Sequence, residues 1–275
     1  MAPESLCVER NGAVVTVTID IPPHNIVGAD LVIGLFGLLP ELEGDDDVSV
    51  VVFRSADPDF FLMHGDVEAI LAGTPSDVPV TEPNIAAALF ERLHKSPFLT
   101  IGVVDGYARG GGCEFLSALD LRIGTSRTIV GQPEVAMGIL PGAGGTVRMA
   151  RLLGRAGALE LVLSGRDVNA NELVAMGWLQ AIVPTEGLDA AVTEYVHQFS
   201  ALSRGSVVAV KRVVDAALDH DVAALVLESA ELNAAMVGGN HIQPMQRFLA
   251  AGGQTREAET TSINPLLEAM RTETN

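Results

Sequence analysis

Residues 48–54 (VSVVVFR) form a near-continuous run of β-branched and apolar side chains, and no other segment constrains the fold as strongly. A strand that is apolar on both faces has to be covered on both faces. With helical segments following it, the run predicts parallel pairing inside an α/β domain rather than a one-faced hairpin. Alternation over residues 12–21 (GAVVTVTIDI) predicts an earlier strand, ended by Pro22 and Pro23. Residues 98–104, 121–124, 128–130 and 179–183 read as further strands. Residues 30–43, 67–71, 85–94, 113–119, 142–153 and 156–163 read as helices, the last two separated by Gly154. Residues 73–83, with Pro75, Pro79 and Pro83, read as a loop.

After Pro184 the character changes. Residues 188–202, 206–218, 222–237 and 243–250 all carry helical patterns and no strand-like run returns. The chain divides into a mixed α/β part, residues 1–195, and a helical part, residues 196–275, whose polar tail from residue 252 is expected to be partly disordered.

Composition narrows the function classes. Of the 275 residues 48% are hydrophobic but only 4% aromatic, so the expected core is aliphatic and alanine-rich. The net charge of −18, with lysine only at Lys95 and Lys211, argues against nucleic acid and anionic membranes as partners. The two cysteines, Cys7 and Cys113, suggest neither a disulfide framework nor a zinc site. No signal-peptide pattern is read at residues 1–10, and the apolar runs are too short to span a bilayer. A reducing, cytoplasmic setting is the expectation.

Three segments carry candidate chemistry. In residues 105–114 (DGYARGGGCE) a predicted strand runs into three glycines and then a helix. Glycines allow close approach of a ligand to the main chain, and free N–H groups at a helix start favour a developing oxyanion. A purely structural turn is the plainer reading of those glycines. Residues 131–134 (GQPE) hold Glu134 behind a proline, and residues 138–146 (GILPGAGGT) open another helix. That loop lacks the lysine of a phosphate-binding loop and the context of a dinucleotide fingerprint. Residues 60–67 (FFLMHGDV) contain His64-x-Asp66, an incomplete metal pattern that reads better as a loop histidine. Cys113 sits where a thiolate would be stabilised, although a small buried cysteine is the commoner outcome. No Gly-x-Ser-x-Gly elbow is present.

The order and spacing of these segments resemble the enoyl-CoA hydratase/isomerase (crotonase) family. Residues 61–67 stand where that family has F-x-A-G-A-D-[IL], residues 105–114 where it has N-G-x-A-x-G-G-G-x-[ED], and residues 130–146 where it has F-G-x-P-E-x-x-x-G-[IL]-x-P-G-x-G-G-[ST]. Residues 151–184 continue the likeness, which spans about residues 10–220. The resemblance implies a ββα spiral core with a helical C-terminal oligomerisation region, assembled as a homotrimer or homohexamer. It implies an acyl-CoA thioester as substrate, with no metal and no cofactor beyond that coenzyme A. Gly65 and Gly111 would supply the oxyanion-hole amides, with Asp66 and Gly142 assigned to substrate binding beside them. Glu114 and Glu134 match the two hydratase carboxylates, which favours water addition to a 2-enoyl-CoA. Enoyl-CoA isomerisation, other enolate chemistry and a non-catalytic role are the alternatives. His64 replaces a small residue of the family pattern and suggests an extra acid/base group at the pocket. Only His24 offers a cation after the first strand, where the family often meets the CoA phosphates with basic residues.

Overall fold

The computed structural model describes residues 5–73, 78–218 and 222–271. The chain begins with a hairpin, β1 (Leu6–Asn11) and β2 (Val14–Ile19), and crosses through α1 (Ala29–Gly44) to β3 (Val50–Ser55). From there one unit repeats: a long strand, a short strand, then helix. It runs as β3, β4 (Phe60–Leu62), α2 (Val67–Ala72) and α3 (Ile85–His94), and then as β5 (Leu99–Val104), β6 (Tyr107–Arg109) and α4 (Gly111–Ala118). The third turn is β7 (Leu121–Gly124), β8 (Ile129–Gly131), a 3₁₀ turn (Glu134–Met137) and α5 (Gly145–Ser164). β9 (Val168–Asn169), α6 (Ala170–Ala175) and β10 (Ala181–Ile182) close the sheets. The C-terminal helices are α7 (Leu188–Ser200), α8 (Arg204–Ala217), α9 (Val222–Val237), α10 (Ile242–Ala250), α11 (Arg256–Glu259) and α12 (Asn264–Arg271).

The long strands form one sheet in the order β1-β2-β3-β5-β7-β10 and the short ones a second, β4-β6-β8-β9. Every pairing from β2 to β10 in the first sheet is parallel, as the doubly buried run 48–54 requires. This is the ββα spiral expected from the sequence. Each turn of the spiral delivers the end of a short strand, and the loop that follows it, to the same edge of the second sheet.

Three local readings are corrected. β1 is absent from the strand pattern read in the sequence; it pairs antiparallel with β2 through residues 6–11. The core is not only aliphatic: Phe53, Phe61 and Phe90 surround Phe115 at centroid distances of 5.3, 6.0 and 5.4 Å. Each such ring pair contributes about 0.5–1.5 kcal/mol beyond burial, and together they fix α4, which carries Glu114. The tail is ordered through α11 and α12, because Ile263, Leu266, Leu267 and Met270 pack into a cluster with Met245 and Phe248 of α10. The loop reading at 73–83 falls partly on residues 74–77, outside the described residues. The break at Gly154 is present as a kink, with φ 68° and ψ 170° inside α5.

α7 packs Val192 and Val196 against β3, β5 and β7, so it belongs to the layer covering the first sheet. α9 and α10 lie on the other side, over the loops that end the short strands.

Candidate active site

The loops after β4 and β6 bring two main-chain amides together. Val27 donates its N–H to the His64 carbonyl at 3.1 Å, and Gly112 donates to the Met63 carbonyl at 2.9 Å. These bonds lock the loops to each other and leave the N–H groups of Gly65 and Gly111 without a protein acceptor among the described residues. A Cβ built on Gly111 would lie 3.3 Å from the Gly65 nitrogen, so the two amides are neighbours. Gly111 is the first residue of α4, where a helix has no internal partner for its N–H. Gly110 turns the chain at φ 52°, and a side chain there would collide with Glu134 Oε1 at 2.7 Å. Gly112 sits so close to β4 that a Cβ would fall 2.0 Å from the Leu62 carbonyl oxygen.

Glu114, in the first turn of α4, is buried. Its Oε1 accepts the N–H groups of Ala143 and Gly145 at 2.7 and 2.8 Å, the start of α5. Burial raises its pKa, while the two amides and the charge of Arg148 pull the other way. Glu134, at the start of the 3₁₀ turn, is also buried. Burial first and the neighbouring Glu114 second push its carboxyl well above the ordinary value, with Glu228 adding to the effect. With its NH₂ turned toward the carboxyl, Gln132 donates to Glu134 Oε2 and Oε1 at 2.9 and 3.1 Å. Both buried carboxyls are thus shifted toward the neutral acid, Glu134 further than Glu114, whose shift the two amides and Arg148 partly offset.

Both glutamates, Gly65 and Gly111 line one cavity of about 620 Å³. Its walls are mainly apolar, including Ile70, Ile139, Leu140, Leu232 and Met236. Asp66 and Gly142 also line it, but not in identical ways. The Asp66 side chain caps α2 by accepting the Ala69 N–H. Gly142 does not open α5, whose first residue is Gly145; its carbonyl accepts from Asn84 Nδ2 at 2.5 Å. The carboxylate-orienting amides are those of Ala143 and Gly145.

The other singled-out residues lie elsewhere. His64 does not face the cavity: its Nε2 is 3.0 Å from Glu259 Oε1, deep behind the loop. Its side chain diverges from that of Asp66, so the two do not converge on a metal. Cys113 is fully buried and burial raises its thiol well above the usual range, which fits the packing role. His24 is buried against Phe60 and burial lowers its pKa, so it is no exposed cation for a phosphate.

Several residues of the site escape a reading of the sequence. Asn25 ties the end of β2 to the segment that leads to Gly65: its Nδ2 donates to Ser55 Oγ at 2.7 Å and to the Phe61 carbonyl at 3.2 Å. Asn84 caps α3 and holds the Gly142 carbonyl. Glu228 of α9 is buried and binds the α5 terminus through the Gly144 and Val147 N–H groups. Asn84 has a visible signal, a capping residue before an apolar run. The others are set by contacts remote in sequence.

Comparison with known proteins agrees with this geometry. The family model for enoyl-CoA hydratase/isomerase matches residues 9–249. Among solved structures, a candidate enoyl-CoA hydratase of Streptomyces avermitilis is 32% identical, with a TM-score of 0.85, covering 98% of this chain and 99% of its own. DspI of Pseudomonas aeruginosa is 28% identical with a TM-score of 0.71, covering 78% of this chain and 87% of its own. Enoyl-CoA hydratase of Bacillus halodurans, at 22% identity and a TM-score of 0.81 over 88% of this chain and 99% of its own, shares the fold. With paired glutamates and two free amides at one cavity in this spiral, and with the family model matching nearly its whole length, the chain belongs to the enoyl-CoA hydratase/isomerase family.

Proposed function

We propose that the protein is an enoyl-CoA hydratase that adds water across the double bond of a 2-enoyl-CoA thioester. The observation that carries this reading is the unequal pair of buried glutamates lining one cavity with the Gly65 and Gly111 amides. The thioester oxygen accepts from both amides, which polarises the conjugated carbonyl. Glu114, with Oε1 held by α5, offers Oε2 to a water and takes its proton as the water oxygen bonds to the β-carbon. The double-bond electrons move toward the carbonyl, and the enolate oxygen rests on the two amides. Glu134 then gives its proton to the α-carbon, and redistribution of a proton between the two carboxyls resets the pair.

Two of the observations behind the alternatives do not hold in the structure. His64, the extra acid/base candidate that favoured isomerisation or other enolate chemistry, is bound to Glu259 instead of facing the cavity. Leu62 and Met63, the large side chains that precede His64, are buried in the protein rather than lining the cavity, which leaves the lack of basic residues after the first strand as the ground for a non-catalytic reading. In this reading the protein is a cytoplasmic homotrimer or homohexamer without metal or further cofactor. Support for assembly comes from the exposed Val210, Val213 and Val214 of α8.

Loss of the conjugated-thioester absorbance of crotonyl-CoA tests the function. The wild type should turn over, and Glu114→Gln and Glu134→Gln should each lose about 10²–10⁴-fold in kcat. Equal rates in all three proteins would refute the assignment.

A further inference from the structure

We propose that Glu259, acting through His64 and Arg109, is a positioning residue that holds the Gly65 and Gly111 amides on a common point; this rests on the oxyanion role given to those amides above.

The connection is direct. His64 immediately precedes Gly65, and Arg109 ends β6 two residues before Gly111. Glu259, at the end of α11, reaches both from behind the second sheet. Its Oε1 faces His64 Nε2 at 3.0 Å, and its Oε2 accepts from Arg109 Nη1 at 3.2 Å. Its backbone carbonyl accepts from the same Arg109 nitrogen at 2.7 Å. All three side chains are buried. Burial alone would raise the Glu259 carboxyl, yet His64 and Arg109 hold it below its ordinary value, so it remains an acceptor.

The rest of the tail fixes Glu259 in turn. Arg109 donates to Asp167 through Nε and Nη2, both at 2.8 Å, and to the Thr261 carbonyl at 2.9 Å. Asp167 Oδ2 accepts from the Ile263 N–H at 3.0 Å, and Tyr107 Oη donates to the Thr260 carbonyl at 2.8 Å. On the other loop, Gln254 accepts the Val67 N–H and donates its own N–H to Glu259 Oε1 at 3.1 Å. His64 Nδ1 lies 2.9 Å from the Gly65 carbonyl oxygen, so the imidazole bridges Glu259 to the peptide plane following the oxyanion glycine. One carboxylate thus sets the relative placement of the two loops that aim these N–H groups. A shift of about 1 Å in such groups costs about 10²-fold in rate.

The full-length protein and two variants test this. Glu259→Gln keeps the volume and removes the charge; His64→Gln leaves the Arg109–Glu259 pair intact and serves if the first variant does not fold. Butyryl-CoA, which has no double bond to hydrate, is labelled with ¹³C at the thioester carbonyl and followed by infrared difference spectroscopy and calorimetry. The wild type should shift the carbonyl stretch to lower frequency. The variants should lose at least about half of that shift with Kd changed less than about threefold, and kcat on crotonyl-CoA should fall about 10–100-fold with KM nearly unchanged. A folded variant that keeps the wild-type shift overturns the proposal, as does a wild type that shows no shift. If the wild type shifts the carbonyl but does not hydrate crotonyl-CoA, the hydratase reading fails and the infrared comparison alone decides the role of Glu259.

Discussion

Glu114 and Glu228 grip the same helix terminus through alternating amides: Glu114 takes the N–H groups of Ala143 and Gly145, Glu228 those of Gly144 and Val147. Two acids from distant parts of the chain thus share the positive end of α5. The groups facing them are Arg148 of α5, itself paired with Glu91 of α3 at 3.0 Å, and Glu134 of the 3₁₀ turn. One guanidinium cannot neutralise all of these carboxyls. Burial, followed by the charge of Glu114, raises Glu228 to about 8.

That shift makes stability depend on pH. The folded-state pKa lies above the unfolded value, so Glu228's contribution is complete below about 4.5 and disappears as pH rises through about 8. Glu228→Gln cannot ionise. Urea denaturation at pH 5 and pH 9 should show the wild type losing roughly 2–4 kcal/mol relative to the variant, at about 1.4 kcal/mol per pKa unit. Parallel pH curves for the two proteins would show that Glu228 is already ionised in the native state.

The same carboxyl should shape the rate profile. Ionised Glu228 raises Glu134, the proposed acid, and so keeps it protonated to higher pH. In Glu228→Gln the alkaline limb of kcat/KM should move to lower pH, while the rate on the plateau changes little. These limbs belong to the coupled carboxyls as a set rather than to single residues. An alkaline limb that stays put, or moves upward, would contradict the coupling.

How far the sequence went is explained by where each signal resides. Glu114 and Glu134 are legible because each sits inside its own short motif, three glycines before one and a proline before the other. The parallel sheet is legible because burial on both faces writes an apolar run into residues 48–54. β4 and β6 are three residues each, too short to impose a pattern, and exist because they pair with each other. Glu259 gives no local sign at all, since its partners His64 and Arg109 lie 195 and 150 residues away. The ordered tail did leave a trace: Ile263, Leu266, Leu267 and Met270 keep the i, i+3, i+4, i+7 spacing of a helix, masked by polar residues around them.

Adjacent glycines separate aiming from packing. A Cβ at Gly111 would meet Val27 Cβ at 3.1 Å and the Gly65 nitrogen at 3.3 Å, contacts that a small movement relieves. A Cβ at Gly112 would strike the Leu62 carbonyl at 2.0 Å, which only separation of α4 from β4 can relieve. Gly112→Ala should therefore cost about 3 kcal/mol or more in stability. Gly111→Ala should stay folded with a similar melting temperature and lose about 10–100-fold in kcat through displaced amides. Calorimetry alongside crotonyl-CoA kinetics distinguishes the two, and a Gly111→Ala enzyme of wild-type rate would remove Gly111 from the proposed oxyanion site.

Leu232 sets a boundary of the cavity in a way that substitution can move. It projects from α9 toward the start of α5, with its Cδ2 2.1 Å from where a Gly142 Cβ would stand, so no side chain is possible at residue 142 while Leu232 holds its place. On its other side lies a second cavity of about 310 Å³, which shares Asn84, Leu232 and Met236 with the first. Leu232→Ala shortens one of the three side chains of that shared wall and should join the two spaces. Each extra methylene buried there contributes about 0.8 kcal/mol, so a few carbons outweigh the packing that the leucine side chain gives a short acyl group. Across 2-enoyl-CoA substrates of increasing chain length, the variant's best kcat/KM should therefore fall on a chain about two to four carbons longer than the wild type's, at the expense of the shortest substrates. An unchanged chain-length profile with a raised KM for every substrate would instead put Leu232 against the coenzyme A portion, since a wall touching the common part of all substrates weakens them equally.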